Sequence, residues 1–131
     1  MTSFSRTDFQ FENFSLVFSW DTVYAEELNN FDSFQDEGEI WFGEDCLMRM
    51  IRWFVKNTDK VPLDAHILDL GCGNGVTSIQ LRKEGFKKVM GCDYSQAAID
   101  LSIKVAKQYN EEDIEFMVKN VQPCSCTNNV Y

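Results

Sequence analysis

A chain of 131 residues suits one domain of ordinary size, and 44% hydrophobic with 25% charged residues is a globular composition, not a disordered or fibrous one. No apolar run reaches membrane-spanning length and residues 1–10 lack the apolar core of a secretory signal, so a cytoplasmic location, with the nucleus as the other option, is expected. A net charge of −9 argues against nucleic acid as the main partner; it suits either a field that steers in a basic substrate or an acidic face that keeps the protein soluble.

Residues 1–18 scatter Phe4, Phe9, Phe11, Phe14 and Phe18 among polar residues without a period and read as an arm. From Ser19, a capping residue type, the apolar stripe Trp20, Val23, Tyr24, Leu28 and Phe31 predicts a helix over 19–31. Residues 32–43 read as a loop, with Gly38 and Gly43 around Glu39-Ile40-Trp41-Phe42. Leu47, Met50, Ile51 and Phe54 then recur at helical spacing and predict an amphipathic helix over 44–57, with Arg49, Arg52 and Lys56 on its other face. With the turn at 60–64, residues 19–64 form one N-terminal helical region.

After this the pattern changes. Residues 66–70 read as a short apolar strand, 71–75 as a glycine-rich turn, and 76–84 as a helix that stops at Gly85 and lets Phe86 pack back. Residues 88–93 are a second strand; Ser95 caps a further helix with Ala98, Leu101, Val105 and Tyr109 on one face. Ile114, Phe116 and Val118 alternate with Glu115, Met117 and Lys119 as a third strand. Strand, helix, strand, helix, strand is one mononucleotide-binding half of a doubly wound α/β sheet, and right-handed crossovers predict the strand order three, two, one. Residues 65–120 are the expected ligand-binding half, followed by a polar tail of irregular pattern at 121–131.

The chemistry sits in Asp69-Leu70-Gly71-Cys72-Gly73-Asn74-Gly75. Glycines let the backbone turn sharply from strand to helix and approach a ligand closely, while the following helix start favours a ligand carboxylate or phosphate. Val76 stands where a dinucleotide-binding G-x-G-x-x-G wants its third glycine. Asp69 repels a pyrophosphate but suits a ligand carrying an ammonium and a sulfonium, as S-adenosyl-L-methionine does; it is expected to hold the loop amides or reach the amino group through water. Asp93, at the end of the second strand, is the expected acceptor for ribose hydroxyls. Tyr94 suits the adenine face and Asn120 the adenine amino edge, with a packed aromatic and a turn amide as equal alternatives. Cys72 contributes to the turn and, like Cys92, reads as a small buried residue rather than a reactive thiol. The other cysteines are Cys46, Cys124 and Cys126; the last two are spaced unlike zinc ligands and His66 is the single histidine, so no metal is expected.

Asp69 to Gly75 resembles the cofactor motif of class I methyltransferases. A more specific resemblance lies upstream, in Ser19-Trp20-Asp21-Thr22-Val23-Tyr24-Ala25-Glu26-Glu27-Leu28, Gly38-Glu39-Ile40-Trp41-Phe42-Gly43-Glu44 and Ile51-Arg52-Trp53. These are similar to the eukaryotic elongation factor 1-alpha lysine methyltransferase 2 family, over about residues 20–119. The resemblance implies a Rossmann-like class I methyltransferase fold, S-adenosyl-L-methionine as methyl donor, and translation elongation factor 1-alpha as protein substrate. It also implies that Trp41, Phe42, Gly43 and Glu44 form a lid over the methionine end of the donor; from the residues alone, Trp41-Phe42 serves equally well as a hydrophobic plug. Trp20 and Tyr24 read as packing residues.

The family domain continues beyond a third strand, so the resemblance implies an incomplete fold here: the first three parallel strands, their helices and the N-terminal helices. The segment 121–131 has no counterpart in the family, which usually carries Asp at the position of Asn120. The expectation is therefore a C-terminally shortened form with weakened activity, the alternative being a catalytically silent form that binds donor or partner only. An unpaired edge on the first strand (Ile67, Leu68, Leu70) is expected, partly covered by the N-terminal helices. Glu44 is the one carboxylate near the lid conceivable for a substrate lysine, and oligomeric state is open.

Overall fold

The computed structural model describes the backbone of residues 6–119 and the side chains from Trp20 onward. Asn120, the 121–131 tail with Cys124 and Cys126, and the phenylalanine side chains of the expected arm lie outside the described residues. In chain order the elements are α1 (Arg6–Phe34), α2 (Glu44–Lys56), β1 (His66–Leu70), α3 (Val76–Lys83), β2 (Lys88–Asp93), α4 (Gln96–Gln108) and β3 (Glu115–Val118). The three strands are parallel in the order β1-β2-β3, the order expected.

The largest departure is α1. One helix of 29 residues runs through the expected boundary at 18/19, so Ser19 is internal and not a cap. The segment holds neither glycine nor proline, and once a helix has nucleated nothing in it stops propagation. It ends at Gln35, whose φ of 58° is left-handed and whose backbone N–H donates to the Phe31 carbonyl at 2.8 Å. By contrast, α3 stops as its sequence suggests: Gly85 has φ 100°, its N–H donates to Arg82, and the Phe86 N–H donates to Leu81. This crossed pair satisfies the last carbonyls and drives the Phe86 ring into the core, fully buried.

Register puts Ile67, Val89, Gly91 and Phe116 on one face of the sheet. Helices α3 and α4 cover that face; α1 packs along α4 and α2 against α3. Two apolar clusters result. Tyr24 and Phe31 of α1 meet Leu101 and Val105 of α4, while Leu47 and Ile51 of α2 meet Leu81, Phe86 and Val89. Gly91 has no room for a side chain, because a Cβ there would stand 2.6 Å from the Phe116 ring. Ile67 of β1 packs against the α2 cluster, while on the opposite face Leu68 and Leu70 are 54% and 66% exposed, so the cover of β1 is partial. Met50 and Tyr109, expected in the apolar stripes of their helices, are also exposed. Arg82 ties the α4–β3 connection to α3 through Glu111 (3.2 Å) and Asp113.

Candidate ligand-binding site

The turn after β1 is built from alternating left-handed glycines, Gly71, Gly73 and Gly75, with φ of 74°, 54° and 78°. Its amides are used internally. Those of Gly71 and Cys72 both donate to the Cys92 carbonyl, at 2.8 and 3.0 Å, stitching the turn to the end of β2. The Gly73 amide donates to Asp93 Oδ2 at 3.0 Å, and Asp93 Oδ1 accepts from the Ser95 amide at 3.1 Å. Ser95 in turn caps α4, its hydroxyl accepting from the Ala98 amide at 3.3 Å. One buried carboxylate thus fixes both the glycine turn and the start of α4. Each of its oxygens retains a lone-pair direction for another donor.

Between the carboxyl ends of β1 and β2, the turn and the α1–α2 connection lies a cavity of about 240 Å³. One wall is Gly71, Cys72, Gly73, Asn74 and Asp93, with Tyr94 at its edge. The facing wall is Trp20 and Tyr24 of α1 with Glu39, Ile40, Trp41 and Phe42. Trp20 stacks on Tyr24 with centroids 5.8 Å apart and takes Trp41 edge-on at 5.0 Å. Trp41 and Phe42 are about half exposed and belong to neither apolar cluster; the residue of this segment that packs into the core is Ile40. Trp41 is thus held to α1 through Trp20 while much of its surface, and that of Phe42, stays exposed.

Of the expected site residues, the structure gathers Trp41, Phe42, Gly71, Cys72, Gly73, Asn74, Asp93 and Tyr94 on this cavity and leaves three others off it. Asp69 does not hold the loop amides; its Oδ2 accepts the Ser78 hydroxyl at 3.0 Å and so ties β1 to the first turn of α3, while Asp93 takes the loop amide. Burial raises the Asp69 carboxyl above the usual range, the Ser78 hydrogen bond opposes this, and Asp93 adds to it. Gly75 is the N-cap of α3, facing Ser102 and Phe116, where a Cβ would stand 2.9 and 3.0 Å away. Glu44 is an exposed residue in the first turn of α2, a position favourable to the helix dipole, and does not line the cavity. The acidic residue of the α1–α2 connection that does line the cavity is Glu39, whose backbone amide and carbonyl bond Glu27 and Asn74.

Sequence reasoning did not give Trp20, Tyr24, Glu39, Val76 and Thr77 a place on the cavity. Tyr24 is a core residue whose hydroxyl also reaches the glycine turn: a Cβ on Gly73 would lie 2.5 Å from it. Burial first, then the Asp93 and Glu27 carboxylates, push its phenol well above the ordinary range, so it stays a neutral donor. Cys72 is buried and its thiol is likewise pushed up, by burial and then by Asp69 and Asp93. That rules against a nucleophilic thiolate, in keeping with its reading as a small buried residue.

A parallel βαβαβ sheet with a ligand cavity at the carboxyl ends of its strands, beside a glycine turn and an acidic strand end, defines a Rossmann-like cofactor-binding domain. The family model described as "Methyltransferase domain" matches residues 63–128, and the chain belongs to that family. It is 46% identical over 101 residues to EEF1A lysine methyltransferase 2 of Mus musculus, covering 77% of this chain and 41% of the mouse protein. It is 34% identical over 125 residues to protein-lysine N-methyltransferase efm4 of Schizosaccharomyces pombe, covering 81% of this chain and 52% of that one. The chain therefore spans about half or less of the length of these relatives. Among solved structures, the crystal structure of WbdD superposes with a TM-score of 0.52 at 23% identity, over 59% of this chain and 17% of that one, which supports the fold.

Proposed function

We propose that the cavity binds S-adenosyl-L-methionine, and that the chain carries the donor-binding part of a protein-lysine N-methyltransferase acting on translation elongation factor 1-alpha in the cytoplasm. The observation that carries the donor site is the meeting of Asp93 and the glycine turn on one cavity wall. The likeness to the mouse and fission-yeast relatives supports lysine as the acceptor and the elongation factor as substrate.

The residues present fit the donor. A Cβ on Gly71 would meet nothing within 4 Å, so the backbone there opens onto free space. Asp93 has lone pairs left for ribose hydroxyls, Tyr94 offers an exposed ring to the base, and Trp41 and Phe42 face the turn from the other wall. At about 240 Å³ the cavity is smaller than the usual range of about 300–1,000 Å³, so these walls enclose part of such a ligand. The bound donor supplies a methyl group on a sulfonium. The acceptor amine must be unprotonated, and a free lysine has a pKa of about 10.4. The aromatic wall of Trp20, Tyr24, Trp41 and Phe42 lowers that barrier by excluding water, which disfavours the charged amine.

Calorimetric titration with S-adenosyl-L-methionine and with NADH tests the donor assignment: heat is expected with the first and none with the second, and equal binding of both overturns it. Incubation with elongation factor 1-alpha and labelled donor tests the reaction. Label on a lysine is the expected result; donor binding without label reduces the chain to a binding module.

A further inference from the structure

Besides the packing of Ile40 and Trp41, four hydrogen bonds from three parts of the fold hold the segment that carries Trp41 and Phe42. The Glu39 amide donates to Glu27 Oε1 at 3.3 Å. Asn74, in the glycine turn, donates to the Glu37 carbonyl at 2.9 Å and to the Glu39 carbonyl at 3.4 Å. The Tyr109 hydroxyl, past the end of α4, donates to the Glu37 carboxylate. Glu27 is the unusual member. It stands on α1 one turn beyond Tyr24, is 8% exposed, and its Oε2 is buried with no hydrogen-bond partner among the described residues. The segment closes directly over it: Gly38 has φ 80°, and a Cβ there would stand 2.5 Å from Oε2. A buried carboxylate with an unsatisfied oxygen is costly, and a leucine would fill a helix–loop contact at less expense. Such a group in a native structure calls for a role other than packing.

We propose that Glu27 is a positioning residue for the ligand cavity, receiving the Glu39 amide so that the 36–42 segment sets Trp41 and Glu39 opposite the glycine turn. The proposal rests on the cavity being the donor site. Burial raises the Glu27 carboxyl above the usual range; the Glu39 amide opposes this, and the Glu39 and Asp36 carboxylates facing it from the segment add to it. On its own helix, Tyr24 is the neighbouring titratable group. The Glu39 amide needs only an oxygen acceptor, which a carboxylate, a neutral carboxyl or a glutamine amide each provides. The latch therefore needs an acceptor, not a charge.

That distinction supplies the test. The chain has three tryptophans, so in a Trp53→Phe background the emission comes from Trp20 and Trp41, which meet edge-on. Without ligand, Glu27→Ala is expected to red-shift that emission and increase quenching by acrylamide. It is also expected to weaken S-adenosylhomocysteine binding by about tenfold. Glu27→Gln keeps an acceptor and is expected to restore both readouts to within about twofold. Gly38→Ala approaches from the other side, pressing a methyl on Oε2, and is expected to mimic Glu27→Ala. In the Glu27→Ala background the loss it adds should shrink to that of the strained left-handed φ alone, because the clash partner is gone. Unchanged emission and affinity in Glu27→Ala overturn the proposal, as does Glu27→Gln falling as far as Glu27→Ala. If Glu27→Ala does not fold, Glu27→Gln decides: both readouts within about twofold of the parent support the latch, and a larger loss overturns it. If the parent chain fails to bind S-adenosylhomocysteine, the donor reading falls, and the ligand-free emission still decides the latch.

Discussion

The two walls of the cavity are made in different ways. The glycine-turn wall is backbone: Gly71, Cys72 and Gly73 are fixed by amides donating to Cys92 and Asp93 at the end of the neighbouring strand. The α1–α2 wall is side chain: Trp20 and Tyr24 on a long helix, and Trp41 on a segment latched by Glu27, Asn74 and Tyr109. A wall of hydrogen-bonded backbone tolerates little change but keeps its shape. A wall of aromatic side chains on a latched segment can be trimmed residue by residue. The comparison predicts that ligand affinity is lost in large steps on the first wall and in small steps on the second.

The largest step is Asp93→Ala. It removes the acceptor for both the Gly73 and Ser95 amides as well as the proposed ribose contact, so titration should show binding weakened at least about 100-fold. Stability should fall by about 2–4 kcal/mol in chemical unfolding, because two buried amides lose a charged acceptor. Gly73→Ala comes next. Its φ of 54° and the 2.5 Å approach to the Tyr24 hydroxyl should lower affinity about tenfold. Tyr24→Phe removes the clashing oxygen and should recover part of that loss; if the two changes simply add, the walls do not touch at this point. Trp41→Ala should cost about three- to fivefold in affinity with little change in melting temperature, because the ring is 48% exposed and outside both apolar clusters.

A smaller effect concerns pH. The folded-state pKa of Asp69 is raised by burial, so its contribution favours folding at acid pH and is lost as pH rises through the raised value. Asp69→Asn keeps an acceptor for Ser78 and carries no charge. Its melting temperature should match the parent near pH 4 and exceed it by about 1–3 °C at pH 7. A constant difference across that range would mean that the carboxylate is not strained. The smallest effect is Glu44→Gln, which should leave donor affinity within about twofold, because this exposed side chain is off the cavity.

How much could be read from the sequence follows the same division. The bounds of β1 and β2 were legible because each is a short run closed by glycine, or by a capping Asp-Tyr-Ser, and the Gly85–Phe86 stop was legible because a single local motif makes it. Asp93 and the glycine turn were legible for the same reason: their partners are neighbours along adjacent strand ends. The start of α1 was missed although Phe11, Phe14 and Phe18 stand at i, i+3 and i+7, because Phe9 and the polar residues between them hide that spacing. Glu27 was invisible: beside Glu26 it looks like a solvated helix residue, and only the return of the 36–42 segment buries it. Asp69 misled because its position next to the turn suggested the loop amides, when the alternation of β1 aims it at Ser78 of α3. Tyr24 and Trp20 read as packing, and Tyr24 does pack; that the same side chains face the ligand cavity depends on where α1 lies on α4.

The most direct test of the donor site is a crystal structure of the chain soaked with S-adenosylhomocysteine. The account predicts the ribose at the end of β2, with its hydroxyls about 2.6–2.8 Å from the Asp93 carboxylate and the base against Tyr94. Ligand density elsewhere on the molecule, with Asp93 bonded to Gly73 and Ser95 alone, would contradict it.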